Sequence, residues 1–339
     1  MIAHDWSNMS VIVTGSIATD YLMKYPGKFR EHILIEQTGK LSVSFLVEEK
    51  EMSRGGIGPN IAYTMALLGE RPRLMGTVGE DFGDYRKWLE SHGIDTSLVV
   101  AYPGEFTATF TVITDIEQNQ IAGFHSGAMA RGRELTYRGL PKDEIDYVII
   151  SPHDPEGMIR NCTECRELGI PFIFDPSQQL ARLDGSQVLT AMEGAFGITV
   201  NDYELELIKS KTGLSEEAIL DKVGMLVVTR GMEGSTLMSR DRRVDAPIVQ
   251  ADIVADPTGV GDAFRGGLLV GLVRGYSWEA TARIGALAAT YCLEQVGTMN
   301  HCYTVPEFVA RYREHFGDAP ELEHMLQVEG GRLKVEGLS

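Results

Sequence analysis

No run of apolar residues reaches the roughly 20 needed to cross a bilayer as a helix, so a helical membrane protein is not expected. Basic residues are in short supply, with 31 Lys and Arg against 48 Asp and Glu and a formal charge of -17. That balance disfavours nonspecific binding to nucleic acid or anionic lipid, which both draw on counterion release from phosphate. It leaves room for a phosphorylated small ligand, because one local pocket can override the global field. Cysteine is scarce, four in 339 residues. Cys162 and Cys165 form a CxxC, but NCTECRELG reads as a helix interior, and Cys292 and Cys302 follow another spacing. Zinc and redox chemistry lack their ligand pattern here, and reduced thiols are expected. The 13 prolines and 37 glycines are scattered, so no linker or low-complexity tract divides the chain, and no solenoid period is visible. The opening MIAHDWSNMSVIVTG lacks the basic, apolar and small-residue succession of a secretory signal. A cytoplasmic protein with one large core, or one core plus a small appended element, is the expectation. No P-loop ending in Gly-Lys-Ser or Gly-Lys-Thr occurs, and no GxGxxG follows the first strand. Walker-type nucleotide binding and nicotinamide chemistry are thereby disfavoured.

What the chain does contain is a rhythm. Residues 10–15, SVIVTG, read as a short buried strand ending in glycine. Alternating, strand-like stretches follow at 40–48 (KLSVSFLVE) and 106–114 (FTATFTVIT), with the turn GGIGPN and a helical pattern at 61–68 between them. From about Asp146, strand, loop and helix repeat: DYVIIS, MIRNCTECRELG, PFIFDPS, FGITVND, YELELIKSK, MLVVTRG, and a long helix from about Gly261. Short apolar strands alternating with helices imply an α/β fold whose parallel sheet is covered on both faces. The early alternating strands do not share that rhythm. They predict a small antiparallel sheet inserted as a lid, its apolar face covered by substrate, main domain or a second subunit.

The most informative stretch is DPTGVGDAF, residues 256–264. The turn Thr258-Gly259-Val260-Gly261 runs straight into an amphipathic helix. Amides at a helix start are unpaired and carry the positive end of the dipole, so they attract phosphate oxygens. Glycine lets the backbone approach an anion without a Cβ in the way. Asp262 then falls on the first turn, where it could accept a proton from a hydroxyl attacking a held phosphoryl group. A capping acid in a glycine turn is the plain alternative. A second segment, RGGIGPNIAYTMALLGERPRLMGTVG at 54–79, offers a tight turn at Gly55-Gly56 and an amide at Asn60 able to donate and accept. Glycine pairs are common in loops, so neither segment is decisive alone.

Together the two segments resemble the PfkB, or ribokinase, family of carbohydrate and nucleoside kinases. Gly55, Gly56, Gly58, Asn60, Ala62, Gly69 and Gly79 meet its first signature; Asp256, Pro257, Gly259, Gly261, Asp262, Gly266 and Gly267 meet its second. Val260 stands where the family usually has Gly, Ala or Ser. The resemblance implies a Rossmann-like ribokinase fold with a central, mostly parallel sheet over residues 10–325. Lid segments would lie at about 17–50 and 103–128, with a C-terminal tail at 326–339. It implies ATP as phosphoryl donor with Mg²⁺, and makes a monovalent cation such as K⁺, held by carbonyls near Asp256, a further cofactor to look for. Asp262 would be the base, with Thr258, Gly259, Val260 and Gly261 stabilising charge. Asn201 and Glu204 match the NxxE motif that organises Mg²⁺ and phosphate through water. On a helix they share a face, and Mg²⁺ tends to keep its waters. A helix start with an acidic first turn accounts for the same residues without a metal. VVTRGMEGS resembles the nucleotide-binding turn, with Thr229, Gly231 and Gly234 near the nucleotide and Arg230 either on phosphate or solvated. Residues 284–295 would wall the adenine or simply pack the core.

A narrower resemblance, carried by GSIATDYLMKYPGKF, LSVSFLVEE, DPSQQLARL, VNDYELELIKSKTG and DPTGVGDAFRGG, is to the ribokinase-like bacterial adenosine kinases. It implies transfer of the γ-phosphoryl of ATP to the 5′-hydroxyl of adenosine. Ser16, Asp20, Gly56 and Asn60 would hold ribose; Ser44, Phe110, Phe124, Gln178 and Gln179 would surround the base. Aromatic rings can stack on a purine and amides can satisfy its edges, although Phe110 and Phe124 could serve the lid core alone. Asp175-Pro176-Ser177-Gln178-Gln179 replaces the wider family's Asp-Pro-Asn-x-Arg, which favours a nucleoside, while His125-Ser126 replaces an aromatic–proline pair usual in the subgroup. A sugar kinase for ribose, fructose or another nucleoside, and a binding protein without turnover, are the rival readings. A homodimer through the lid is expected, with no nucleic-acid or membrane partner.

Overall fold

The computed structural model describes residues 10–32 and 43–330. Apolar runs such as VIVT and YVII give strands buried on both sides, as a parallel sheet sandwiched between helices requires. The strands are β1 (Val11–Thr14), β2 (Ala18–Lys24), β3 (Glu49–Gly55), β4 (Arg73–Gly79), β5 (Asp95–Tyr102), β6 (Ala108–Thr114), β7 (Gln120–His125), β8 (Tyr147–Ile150), β9 (Phe172–Phe174), β10 (Gly197–Asn201), β11 (Leu226–Thr229), β12 (Ser235–Met238) and β13 (Arg243–Ala246). The helices that matter below are α1 (Ile57–Leu67), α2 (Gly83–Ser91), α3 (Pro155–Leu168), α4 (Gly185–Met192), α5 (Asp202–Thr212), α6 (Glu216–Leu220), α7 (Val260–Val273), α8 (Trp278–Leu293), α9 (Val305–Phe316) and α10 (Pro320–Gly330).

The large sheet has the order β13-β12-β11-β10-β9-β8-β1-β4-β5. Its pairings are parallel except at β11–β12 and β12–β13. Side chains of β1 alternate between its two faces, as the pleat demands. Val11 and Val13 join a core cluster with α1 and α7–α9, whereas Ile12 joins one with α3–α6. From β1 the chain winds outward one way through β4 and β5, then returns to β8 and winds the other way. That reversal leaves a crevice at the carboxyl ends of β1 and β8, the usual ligand position in open α/β sheets.

The small sheet has the order β3-β2-β6-β7 and leaves the main domain directly after β1. It is mixed rather than purely antiparallel, because β2 and β6 run parallel. The strand expected at 40–48 does not form over its described part. Residues 43–48 carry no strand, 40–42 lie outside the described residues, and the partner of β2 is β3 instead. The apolar alternation there serves packing: the Phe45 ring lies 5.0 Å from Tyr25 and 4.8 Å from Phe29. The lid therefore extends to Gly55, beyond the expected limit at 50, and hands the chain straight to α1. At the other end, α10 runs through the expected boundary at 325/326, with Leu322 and Met325 buried in the core. No described helix is long and apolar enough to cross a membrane.

Candidate active site

Several singled-out residues meet at the carboxyl ends of the parallel strands. Ser16 follows β1, Asp175 follows β9, Asn201 ends β10 and Thr229 ends β11, with Asn201 and Thr229 paired across the sheet. Above them α7 begins. Its N-cap is Gly259, at φ 80°, a left-handed conformation in which a Cβ would also lie 2.9 Å from Cβ of Thr298. Asp256 braces this turn, accepting from the amide of Thr258 at 2.9 Å and from that of Gly297 at 3.0 Å. The amides of Gly261 and Asp262 find no acceptor among the described residues. They form the free, dipole-backed donors that an anion needs.

Asp262 is not a cap. No side-chain cap bond closes the start of α7. The carboxylate is instead buried, with Oδ2 accepting from Nδ2 of Asn60 at 2.8 Å and Oδ1 lying 3.5 Å from Nη1 of Arg265. Burial pushes its pKa up, while Arg265 and then Asn60 draw it back. Asn60 is presented by the first turn of α1, whose N-cap is Gly56. That glycine has φ 99°, and a Cβ there would sit 2.5 Å from the carbonyl oxygen of Ser16. The tight GG turn thus brings Ser16, Gly56 and Asn60 together, and Asn60 links them to Asp262.

The NxxE pair forms a reciprocal capping box at the start of α5. Asn201 Oδ1 accepts from the Glu204 amide at 2.7 Å, and Glu204 Oε2 accepts from the Asn201 amide at 2.9 Å. Glu204 Oε1 stays uncommitted among the described residues. The helix-start explanation therefore holds for half of the motif's polar groups and leaves one carboxylate oxygen for another task. No cluster of three potential metal ligands occurs among the described residues.

Beside the cradle lies a cavity of about 390 Å³, within the range of small-molecule sites. Thr229, Gly231 and Gly234 form one wall, and Val260 and Gly261 line it where α7 begins. Ala286, Ala289 and Leu293 of α8 form an apolar wall, so part of that helix does line a cavity as well as packing the core. Arg230 is turned to the protein, donating to Thr236 Oγ1 at 2.5 Å.

On the lid, strand register brings the expected residues together. Asp20 pairs with Ser53 of β3 and with Phe110 of β6, and Phe110 pairs with Phe124 of β7. Directly opposed residues point to the same face, so the carboxylate and both rings form one row. Asp20 leans over the GG turn: a Cβ on Gly55 would lie 2.9 Å from Oδ2. Partial burial raises its pKa. Phe124 is 56% exposed, so it is not a lid-core residue in this arrangement. Gln179 is buried, its amide donating to the carbonyl of His153 at 2.7 Å and its Oε1 unpartnered. Gln178 is exposed and turned to Ser177. Ser44 is exposed in an irregular segment that no strand pairing joins to the Asp20 row.

The segment after β13, Phe264 and Arg265 were not singled out from the sequence. The irregular segment after β13 supplies Ile248, Val249 and Val254 to the cavity, and Phe264 adds to its floor; no periodicity marks such a loop. Arg265 and Asp175 form a buried ion pair, Nη2 to Oδ1 at 2.8 Å. The only sequence signal for that pair was a charged residue at each end of two otherwise apolar stretches.

Comparison with known proteins bears on the family and the fold. The family model described as pfkB family carbohydrate kinase matches residues 14–305. A nucleoside kinase of Methanothermobacter thermautotrophicus is 30% identical, covering 92% of this chain and 98% of its own. One from Methanocaldococcus jannaschii is 28% identical over 90% and 97%. Among solved structures, the ligand-free nucleoside kinase of Burkholderia thailandensis superposes with a TM-score of 0.83 at 39% identity, covering 89% of this chain and 99% of its own. The same enzyme has been seen with inosine, at TM-score 0.79, 39% identity and coverage of 92% and 99%. The chain is a member of the PfkB family of carbohydrate kinases, with the ribokinase fold.

Proposed function

We propose that the protein is a nucleoside kinase that moves the γ-phosphoryl of ATP to the 5′-hydroxyl of a purine nucleoside, with adenosine the preferred acceptor. The observation that carries this is the row Asp20–Phe110–Phe124 on one face of the lid. A carboxylate suits vicinal ribose hydroxyls, and two rings suit the flat face of a base; a free sugar gives such rings nothing to stack on. The curated relatives named nucleoside kinase and the neighbour holding inosine support the nucleoside class. Inosine is the second reading, because Gln179 offers an unpartnered Oε1 that can accept from either purine.

In this reading the nucleotide occupies the cavity with its phosphates on the amides of Gly261 and Asp262. Thr258, Gly259 and Val260 shape the cradle, and Thr229, Gly231 and Gly234 border the nucleoside part. Ser16, Gly56 and Asn60 aim the 5′-hydroxyl at Asp262, which takes its proton as the O–P bond forms. Asn60 holds one carboxylate oxygen and leaves the other for the proton. The donor set fits an ion carried mainly by substrate phosphates: Glu204 would hold Mg²⁺ through water, and the ion would offset phosphate charge. For K⁺, Asp256 is committed to two amides and would shape nearby carbonyls rather than ligate. Folding of the lid over the acceptor would exclude water as a competing nucleophile. The opposite lid face carries Met52 at 57% and Ile121 at 42% exposure, apolar surface that a second copy of the lid would cover in a homodimer.

The test is an acceptor panel: Mg-ATP consumption and product mass with adenosine, inosine, cytidine, ribose and fructose. Adenosine is expected to give the highest kcat/KM, with a 5′-monophosphate as product. Turnover of ribose or fructose alone contradicts the proposal. A thermal shift with adenosine and no ADP formed points to a binding protein instead.

A further inference from the structure

One guanidinium sits between two buried carboxylates. Arg265 Nη2 lies 2.8 Å from Asp175 Oδ1, a contact of charge without good hydrogen-bond alignment, and Nη1 lies 3.5 Å from Asp262 Oδ1. All three side chains are nearly inaccessible, with Asp175 at 0%. The same Nη1 lies 2.9 Å from where a Cβ on Gly261 would be, so the guanidinium also packs directly under the cradle. Asp262 therefore has one oxygen gripped by Asn60 at 2.8 Å and the other accepting only a long hydrogen bond, 3.5 Å, from Arg265 Nη1.

We propose that Arg265, anchored by Asp175, is a positioning residue for Asp262, keeping the base ionised while leaving Oδ1 open to receive the hydroxyl proton. The inference rests on the assignment of Asp262 as base. Its physical content is a division of labour. A buried carboxylate without a nearby cation tends to stay protonated and cannot act as base. A cation hydrogen-bonded tightly to both oxygens would instead occupy the lone pairs that the proton needs. Asp175 resolves this conflict by holding the guanidinium on the far side, so that it acts on Asp262 through charge. The groups facing this trio from the packed elements are few. Beyond Arg265 on α7, Glu204 of α5 raises the pKa of Asp175 and helps to keep Arg265 charged, and the buried thiol of Cys292 on α8 feels Asp262. From α1 comes the neutral amide of Asn60. Burial pushes the pKa of Asp175 up, and the Arg265 guanidinium draws it back.

The experiment is the pH profile of kcat for wild type, Arg265→Gln, Arg265→Lys, Asp175→Asn and the double variant Asp175→Asn/Arg265→Gln, with Asp262→Asn as control. Arg265→Gln is expected to lower kcat by about 10- to 100-fold with the KM for ATP little changed. Its acid limb should move to higher pH by about one unit or more, because the cation favouring the ionised base is gone. Arg265→Lys keeps the charge but not the two-armed reach, and should show a smaller move in the same direction. Asp175→Asn should move the limb the other way, since the freed guanidinium closes on Asp262. If Arg265→Gln fails to fold with two unpaired buried acids, the double variant removes one of them and should show the same upward move. A folded Arg265→Gln or double variant with the wild-type acid limb overturns the inference, whatever its kcat, because a merely structural role would leave the limb in place. Full turnover in Asp262→Asn would instead defeat the assignment of the base. An inactive Asp262→Asn beside unmoved limbs in the Arg265 variants would defeat only the role given to Arg265.

Discussion

On the donor side, the walls come from α7, α8 and the β11–β12 turn, elements packed on the large sheet, and Val249 and Phe264 among the lining residues are buried. On the acceptor side, the row Asp20–Phe110–Phe124 stands on a four-stranded sheet whose last strand, β7, is exposed along its whole length. In the proposed reaction the two halves would meet different demands. A nucleotide can be received by a rigid pocket whose amides and dipole are fixed in advance. The proposed acceptor has to be enclosed after it binds, which suits contacts on a surface that the free protein leaves open. Asp262 stands at the seam: α7 carries it, and Asn60 of α1, entered directly from the lid, holds it.

Breaking the donor half should cost most. Gly259→Val forces a branched side chain into a left-handed backbone position already crowded by Thr298. It should lower kcat by about 1,000-fold, the scale of losing oxyanion-type stabilisation, with the nucleoside KM little changed in steady-state kinetics. On the acceptor half, Asp20→Ala should reduce kcat/KM for the nucleoside by about 100-fold through lost charge-assisted hydrogen bonds. Phe124→Ala should raise the nucleoside KM by roughly tenfold, a stacking contribution, and leave the ATP KM unchanged. Equal effects of Phe124→Ala on both substrates would dissolve the distinction drawn between the halves.

The smallest effect expected is on stability. His301, in the loop that joins α8 to α9 and carries Thr298 to the cradle, is fully buried, and burial pulls it down to about 4 from 6.5. Its folded value lies below its unfolded one, so the unfolded chain binds the extra proton in between. The contribution to stability is complete above 6.5 and is lost as the pH falls toward about 4. Thermal melts at neutral pH and near pH 5 should show a drop in Tm of a few degrees that is smaller in His301→Gln. An equal drop in both proteins would remove His301 from the account.

How much of this could be read from the chain depended on how local each feature is. The cradle was legible because its glycines, its acid and its helix are contiguous, and DPTGVGDAF fixes them within nine residues. The capping box at Asn201 and Glu204 was legible for the same reason, though the spacing could not divide a structural role from a ligand role. Asp20 and the two phenylalanines were named from family resemblance, and only the register of β2, β6 and β7 places them in one row. The strand at 40–48 was misplaced because alternation marks an apolar face without naming its partner; Phe45 uses that face to pack on Tyr25 and Phe29. Ser44 and Gln178 came from the same resemblance, and both are exposed with no strand pairing that joins them to the row. The pair of Asp175 with Arg265 joins residues 90 positions apart, and no periodicity within either stretch could announce it.

The most direct test of the central claim compares chemistry with binding in one preparation of Asp262→Asn. Calorimetric titration with ADP and with adenosine, alongside single-turnover transfer from Mg-ATP, separates the cradle from the base. The account predicts affinities within about threefold of wild type and transfer slowed by 1,000-fold or more, roughly what loss of a general base in a preorganised site costs. Transfer that survives the substitution, or binding that vanishes together with it, would contradict a buried carboxylate acting as base beside an independent phosphate cradle.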